Sequence, residues 1–211
     1  MTRLLTYGAR QVSRWWLQGA RGYSCAMTTI VAIQHKDKVV FGADSQVTSP
    51  NGRTSNHPKM IKISERGDFI VAGSGECAPC DIAQHIWIPP KPTAKDFADV
   101  YHFMISKVVP SLKACFKEQE FKWNEADADG DTRFSFLIAV GGEVFELADD
   151  MSICLDSKGF YGVGSGSSYA IGALSAGVTI EKALQIATEN DAYTSAPFMY
   201  VTQKKVASKP K

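Results

Sequence analysis

Short β-branched runs and stretches with helical spacing follow one another along this chain in blocks, and the order of the blocks limits the fold. Thr28 to Ile33 (TTIVAI) is apolar and β-branched, as a buried strand is. After a polar break at His35 to Lys38, Val39 to Ala43 (VVFGA) repeats the pattern, so the two read as a hairpin. Residues 45–58 carry the Ser, Asn, Gly and Pro of a loop. Met60 to Ile63 and Phe69 to Ala72 read as short strands, and Gly73-Ser74-Gly75 breaks the pattern. Helical spacing then takes over. Ile82, Ala83 and Ile86 share a face until Pro89-Pro90 stop the helix. Phe97, Tyr101, Met104, Ile105 and Val108 mark a longer amphipathic helix reaching about Pro110. Phe134 to Val140 and Val144 to Leu147 form a hairpin across Gly141-Gly142. Phe160 to Val163 is a strand that runs into Gly164-Ser165-Gly166. Two helices follow, one with Tyr169, Ala170, Ala173 and Leu174 on a face, the next N-capped by Thr179 with Ile180, Ala183, Leu184 and Ala187 on its stripe. Phe198 to Thr202 is a last strand. Strands, two helices, strands, two helices, strand: this order predicts an α+β chain in which two antiparallel sheets face each other and helices cover the outsides.

Composition narrows the function classes. The 211 residues suit one domain. Lys and Arg total 23 against 22 Asp and Glu, so no excess of positive charge exists to bind a phosphate backbone. No apolar run approaches the roughly 18–20 residues of a membrane span. Partners among nucleic acids or membranes are therefore not expected. Five scattered Cys do not form a disulfide framework, and they point to a reducing compartment. Cys77-Ala78-Pro79-Cys80 has no second Cys pair to complete a zinc site and reads as coincidence at a helix start. The Asp-rich stretch Glu125 to Gly130 echoes a calcium loop, but the twelfth position is Phe136 instead of Glu. The four His lack ligand spacing, and no GxSxG is present.

The first acidic residue is Asp37, and Arg3, Arg10, Arg14 and Arg21 precede it. Residues 1–27 thus read as a removable head: a mitochondrial presequence, a cleaved propeptide, or a misassigned upstream start. Residues 28–203 form the body, and residues 204–211 read as a Lys-rich, solvated tail.

Five segments of the body carry chemistry: TTIVAI, VVFGADSQVT, HPKMIKI, GVGSGSSYAIGAL and ALQIATENDAYTS. Each alone is weak, since a strand-leading Thr or a buried Asp–Lys pair is usually structural. In this order and at these distances they resemble the proteasome β-subunit and HslV family of N-terminal-nucleophile peptidases, from Thr28 to about residue 203. The resemblance implies a four-layer αββα sandwich. It implies a nucleophile at Thr28, with Asp44 and Lys59 beside it, and Ser165, Asp191 and Thr194 orienting the terminal amine. The oxyanion donor matches Gly75, with Gly73 as second choice, and Val47 lines the pocket beside the nucleophile. No cofactor is required. Backbone carbonyls of Thr188, Asp191 and Thr194 match a loop that holds a structural cation such as Na+ or Mg2+.

The chemistry of those residue types stands without the family. A Thr hydroxyl needs a base within reach. A free α-amine, with a pKa of about 7.7–8.0, can serve near neutral pH, whereas an amide nitrogen cannot. The Met27–Thr28 bond must therefore be cut before the chain can act. Family propeptides often end in Gly and this one ends in Met, which suits initiator-Met removal at Met27 or a presequence. The resemblance further implies a homo-oligomer of stacked rings, fed polypeptide by an ATP-dependent unfoldase in the cytoplasm, or in the mitochondrial matrix if the head is a presequence. Two alternatives stay open: a non-catalytic ring subunit of the same fold, and an amidase acting on a small molecule.

Overall fold

The structure is a computed structural model that describes residues 28–49, 52–56, 60–123 and 134–206. Strands β1 (Ile30–Gln34) and β2 (Lys38–Ala43) form the expected hairpin, and the loop after them holds a short ribbon of β3 (Val47–Thr48) and β4 (Thr54–Ser55). Then come β5 (Ile63–Arg66) and β6 (Phe69–Gly75). The first helical block is α1 (Cys77–Asp81) with a π-turn Ile82–Ile86, α2 (Ala94–Ala98), α3 (Val100–Phe103), a second π-turn Met104–Val108, and α4 (Val109–Glu118). Next are β7 (Phe134–Val140), β8 (Glu143–Ala148), β9 (Ile153–Cys154) and β10 (Phe160–Val163). Helices α5 (Ser167–Ser175) and α6 (Ile180–Asn190) and strand β11 (Met199–Lys204) complete the chain.

Two antiparallel sheets result, ordered β10-β1-β2-β11 and β5-β6-β7-β8-β9. Period-2 alternation divides each strand between two layers. On β7, Phe134, Phe136, Ile138 and Val140 pack outward against α1–α4 with Trp87, Phe103 and Phe116, while Leu137 and Ala139 face the other sheet with Ile30, Phe41 and Val144. On the far side, Val31 packs beneath Ala170, Leu174, Ala183, Leu184 and Ala187 of α5 and α6. Helix, sheet, sheet, helix is the αββα sandwich that the block order and the resemblance predict.

Three differences have physical causes. Pro110 does not end its helix: it falls in the first turn of α4, directly after the π-turn, where a missing N–H costs least. Ile86 leaves the buried face because the preceding turn is π-helical, with Trp87 N–H bonded to the Ile82 carbonyl at 2.8 Å; Trp87 is buried instead. The tail begins later than residue 204, since Lys204 pairs with Lys38 on β2, Lys205 N–H donates to the Asp37 carbonyl and Val206 N–H to that of Gly141. Residues 207–211, the head 1–27 and the acidic stretch 125–130 lie outside the described residues.

Candidate active site

Thr28 and Thr29 lead into β1, and the sheet register sets their neighbours. Because Ile30 pairs with Ala43 on one side and Val163 on the other, the two threonines fall between Asp44 and Gly164. Asp44 N–H donates to the Thr29 carbonyl at 3.0 Å, and Gly166 N–H to the Thr28 carbonyl at 3.2 Å. The glycines around Ser165 make this approach possible. A Cβ on Gly164, which has φ +94°, would overlap the Thr28 carbonyl, and one on Gly166 would meet Thr29 Oγ1, Thr194 Oγ1 and Asp191 Oδ2.

Asp44 is fully buried, and both of its oxygens are engaged. Oδ1 accepts the Thr28 hydroxyl at 2.7 Å, Thr29 N–H at 2.9 Å and the Lys62 ammonium at 2.6 Å. Oδ2 accepts Gln46 N–H at 2.9 Å and Ser195 N–H at 3.3 Å. Lys62 Nζ also donates to Thr28 Oγ1. The hydroxyl of Thr28 therefore sits between a carboxylate and a cation, in a site closed to solvent.

Lys62 is the residue that sequence reading missed. Lys59, the expected partner of Asp44, lies outside the described residues; the lysine that the structure brings to Asp44 is the second one in HPKMIKI. Lys62 directly precedes β5, and its carbonyl accepts Gly73 N–H at 3.2 Å and Gln84 Nε2 at 3.1 Å. A sequence signal did exist: Lys62 stands between Ile61 and Ile63, and a lysine in an apolar stretch is held by its stem.

A second network lies on the other side of the threonines. Ser165 Oγ donates to Asp191 Oδ2 at 2.8 Å, and Thr194 Oγ1 donates to the same oxygen at 2.5 Å. Thr194 has only one hydroxyl proton, so in the 2.6 Å contact between Thr29 Oγ1 and Thr194 Oγ1 the proton comes from Thr29. Ser165 Oγ also stands 3.5 Å from the Thr28 carbonyl. The three expected orienting residues thus form one network that meets the Thr28 carbonyl through Ser165 and the Thr29 hydroxyl through Thr194. Asp191 joins it because α6 ends there, with Asp191 as C-cap and Thr194 N–H folded back on its carbonyl at 3.2 Å.

Gly75 ends β6 with φ +117° and shares a cavity wall with Gly164, which touches Thr28. Gly73, the second choice for oxyanion donor, has its N–H committed to the Lys62 carbonyl. Val47 lies buried in β3, three residues after Asp44 and opposite Ser55. Thr188 lies in the last turns of α6, where its hydroxyl donates to the Leu184 carbonyl at 3.1 Å. The Asp191 carboxylate is committed to Ser165 and Thr194, so donors left for a cation at 188, 191 and 194 are carbonyl oxygens, which suit a hard ion. Among the described residues no group of three or more His, Cys, Asp or Glu could hold a metal ion. Cys80 is packed in the outer core against the space above Gly73, and burial pushes its thiol well above the usual range, which makes it inert.

Residues 26–83 match the family model described as proteasome subunit. No curated protein matches the chain by sequence. Among solved structures, BPH from Thiobacillus denitrificans in complex with epoxomicin is similar at a TM-score of 0.62 and 21% identity, covering 85% of this chain and 100% of its own. HslV from Trypanosoma brucei is similar at 0.57 and 19%, covering 84% of this chain and 99% of its own. Anbu from Yersinia bercovieri is similar at 0.57 and 11%, with 83% and 81% covered. The sequence match to a proteasome subunit spans the segment that contains Thr28, Asp44 and Lys62, and the chain shares the fold of the BPH and HslV structures over 84–85% of its length, through Ser165 and Asp191.

Proposed function

We propose that the chain is the catalytic subunit of a threonine-type endopeptidase, with Thr28 as an N-terminal nucleophile once the bond to Met27 is cut. The observation that carries this reading is the buried Thr28 hydroxyl held between Asp44 and Lys62. The freed amine of Thr28 takes the hydroxyl proton, directly or through one water. Oγ1 attacks the peptide carbonyl carbon, and the backbone N–H of Gly75 stabilises the oxyanion. The protonated amine returns its proton to the departing peptide amine, which leaves an ester on Thr28. Water then hydrolyses the ester by the same proton path.

Lys62, paired with Asp44, takes the role that sequence reading gave to Lys59. Its charge disfavours protonation of the neighbouring amine and stabilises the hydroxyl oxygen as it loses its proton. Ser165, Asp191 and Thr194 orient the amine from the other side. Val47 lines the pocket beside the nucleophile. A Na+ or Mg2+ held by the carbonyls of Thr188, Asp191 and Thr194 would brace the loop after α6; the chemistry runs without it. The family likeness supports assembly into homo-oligomeric stacked rings that receive polypeptide from an ATP-dependent unfoldase. No helix among the described residues is long and apolar enough to cross a membrane. The cytoplasm is the proposed compartment, or the mitochondrial matrix if the head is a presequence.

Intact mass and N-terminal sequencing of the natural protein, paired with a fluorogenic peptide assay, test the proposal. The expected results are a chain that begins at Thr28 and turnover abolished by Thr28→Ala. A chain that keeps Met27 and hydrolyses nothing is the non-catalytic subunit. Peptide turnover that survives Thr28→Ala defeats the nucleophile assignment.

A further inference from the structure

The layer between the two sheets changes character at one end. Along β6 the residues facing the other sheet are Ile70, Ala72 and then Ser74; along β7, moving toward the same end, they are Ala139, Leu137 and Ser135; along β8 they are Val144 and then Glu146. Apolar core thus gives way to two hydroxyls and a carboxylate in register, since Ser74 pairs with Ser135. A carboxylate on the inward face of a sheet sandwich breaks the alternation that built the core around it. Ser74, Ser135 and Glu146 wall a cavity of about 300 Å³, completed across the layer by Val163, Gly164 and Ser167. That volume is at the lower end of ordinary ligand pockets.

The cavity adjoins the nucleophile. Gly75 and Gly164 are both on its wall, and Gly164 lies against the Thr28 carbonyl. Among the described residues lining it, Glu146 is the ionisable one, and no cation shares the wall. Burial alone raises the Glu146 carboxyl above its ordinary range, which is the behaviour of an acid without a local positive partner. A ligand that brings a positive charge would supply that partner.

We propose that this cavity is a substrate subsite beside Thr28 that takes a lysine or arginine side chain of the polypeptide, with Glu146 as the carboxylate that selects it. The hydroxyls of Ser74 and Ser135 accept the remaining N–H groups of the bound cation. The proposal rests on the peptidase reading for its biological sense, but its first test needs no turnover. Butylguanidinium is titrated into the assembled full-length Thr28→Ala protein and its Glu146→Gln derivative by calorimetry, with neutral butylurea as control. Binding of butylguanidinium that weakens about ten-fold or more in the Gln variant is expected. No binding, equal binding to both proteins, or equal binding of butylurea overturns the subsite. In the second test, otherwise identical peptides with Lys or norleucine at each position around the scissile bond are compared with the Thr28 enzyme. The kcat/KM ratio of Lys over norleucine should exceed about ten at one position and collapse in Glu146→Gln. A ratio near one in both enzymes overturns the subsite while leaving the nucleophile assignment intact. Loss of the peptidase reading shows separately, as turnover indifferent to Thr28→Ala.

Discussion

Asp44 accepts five hydrogen bonds, counting the ammonium of Lys62, and so the carboxylate is fully satisfied although it is buried. A buried ion pair of this kind gains little net stability over an apolar substitute, but breaking it from one side leaves an uncompensated charge. Lys62→Ala should therefore cost about 3–5 kcal/mol in urea unfolding, and it should lower kcat by roughly 10²- to 10³-fold through the lost charge at Thr28 Oγ1. A Lys62→Ala protein that folds and keeps kcat within a few-fold of the parent would exclude Lys62 from the chemistry. The residue scale also explains why Lys62 escaped sequence reading. Lys59 and Lys62 occupy the same short motif, and the path of the chain into β5 is what brings the Lys62 ammonium to Asp44.

At the scale of elements, the chain places these candidate site residues at element ends. Asp44 follows β2, Lys62 precedes β5, Gly75 closes β6, Ser165 follows β10 and Asp191 caps α6. Strand and helix interiors are fixed by packing; their ends are free to carry polar groups. The helical layer shows the same economy at α2. Thr93 and Asp96 form a capping box, with the Thr93 side chain accepting Asp96 N–H and the Asp96 carboxylate accepting Thr93 N–H. Lys107 pairs with Asp96 at 2.7 Å and, together with the Thr93 bonds, holds its carboxyl at about 2 instead of 3.8. A folded-state value below the unfolded one stabilises the fold above the unfolded value and stops doing so as pH falls through the folded value. Asp96→Asn should thus be less stable than the parent at pH 7, and the gap should close between about pH 4 and pH 2. Urea unfolding across that range measures it; a gap that does not change with pH would show that the carboxylate charge contributes nothing.

Across the whole molecule, three apolar layers use the residues that alternation assigns to them, and some large apolar side chains remain outside. Ile88 is 81% exposed, and Ile86, Tyr101 and Ile105 are about half exposed on the α1–α4 side, as is Tyr169 on α5. A lone subunit leaves these surfaces wet, and an assembly can cover them. Native mass spectrometry of the processed protein should therefore give a single species at a high multiple of the subunit mass, and peptidase activity should travel with it. Full activity in a monomer would defeat the ring proposal.

The four layers were legible from sequence because they depend on local regularities: period 2 in β1, β2 and β7, period near 3.6 in α5 and α6, and turn chemistry at Gly141-Gly142 and Thr179. The π-turns were not, because a widened turn depends on how Trp87 and Met104 pack and not on the spacing of their neighbours. The site divides in the same way. Thr28, Asp44, Ser165, Asp191 and Thr194 were expected because their segments resemble those of the proteasome β-subunit and HslV family. Lys62 at the hydroxyl, the Thr29–Thr194–Asp191 chain and the inward carboxylate of Glu146 came only from the register between strands far apart in sequence. Sequence patterns report which face of an element is buried; which residues meet across two buried faces is decided when the sheets dock.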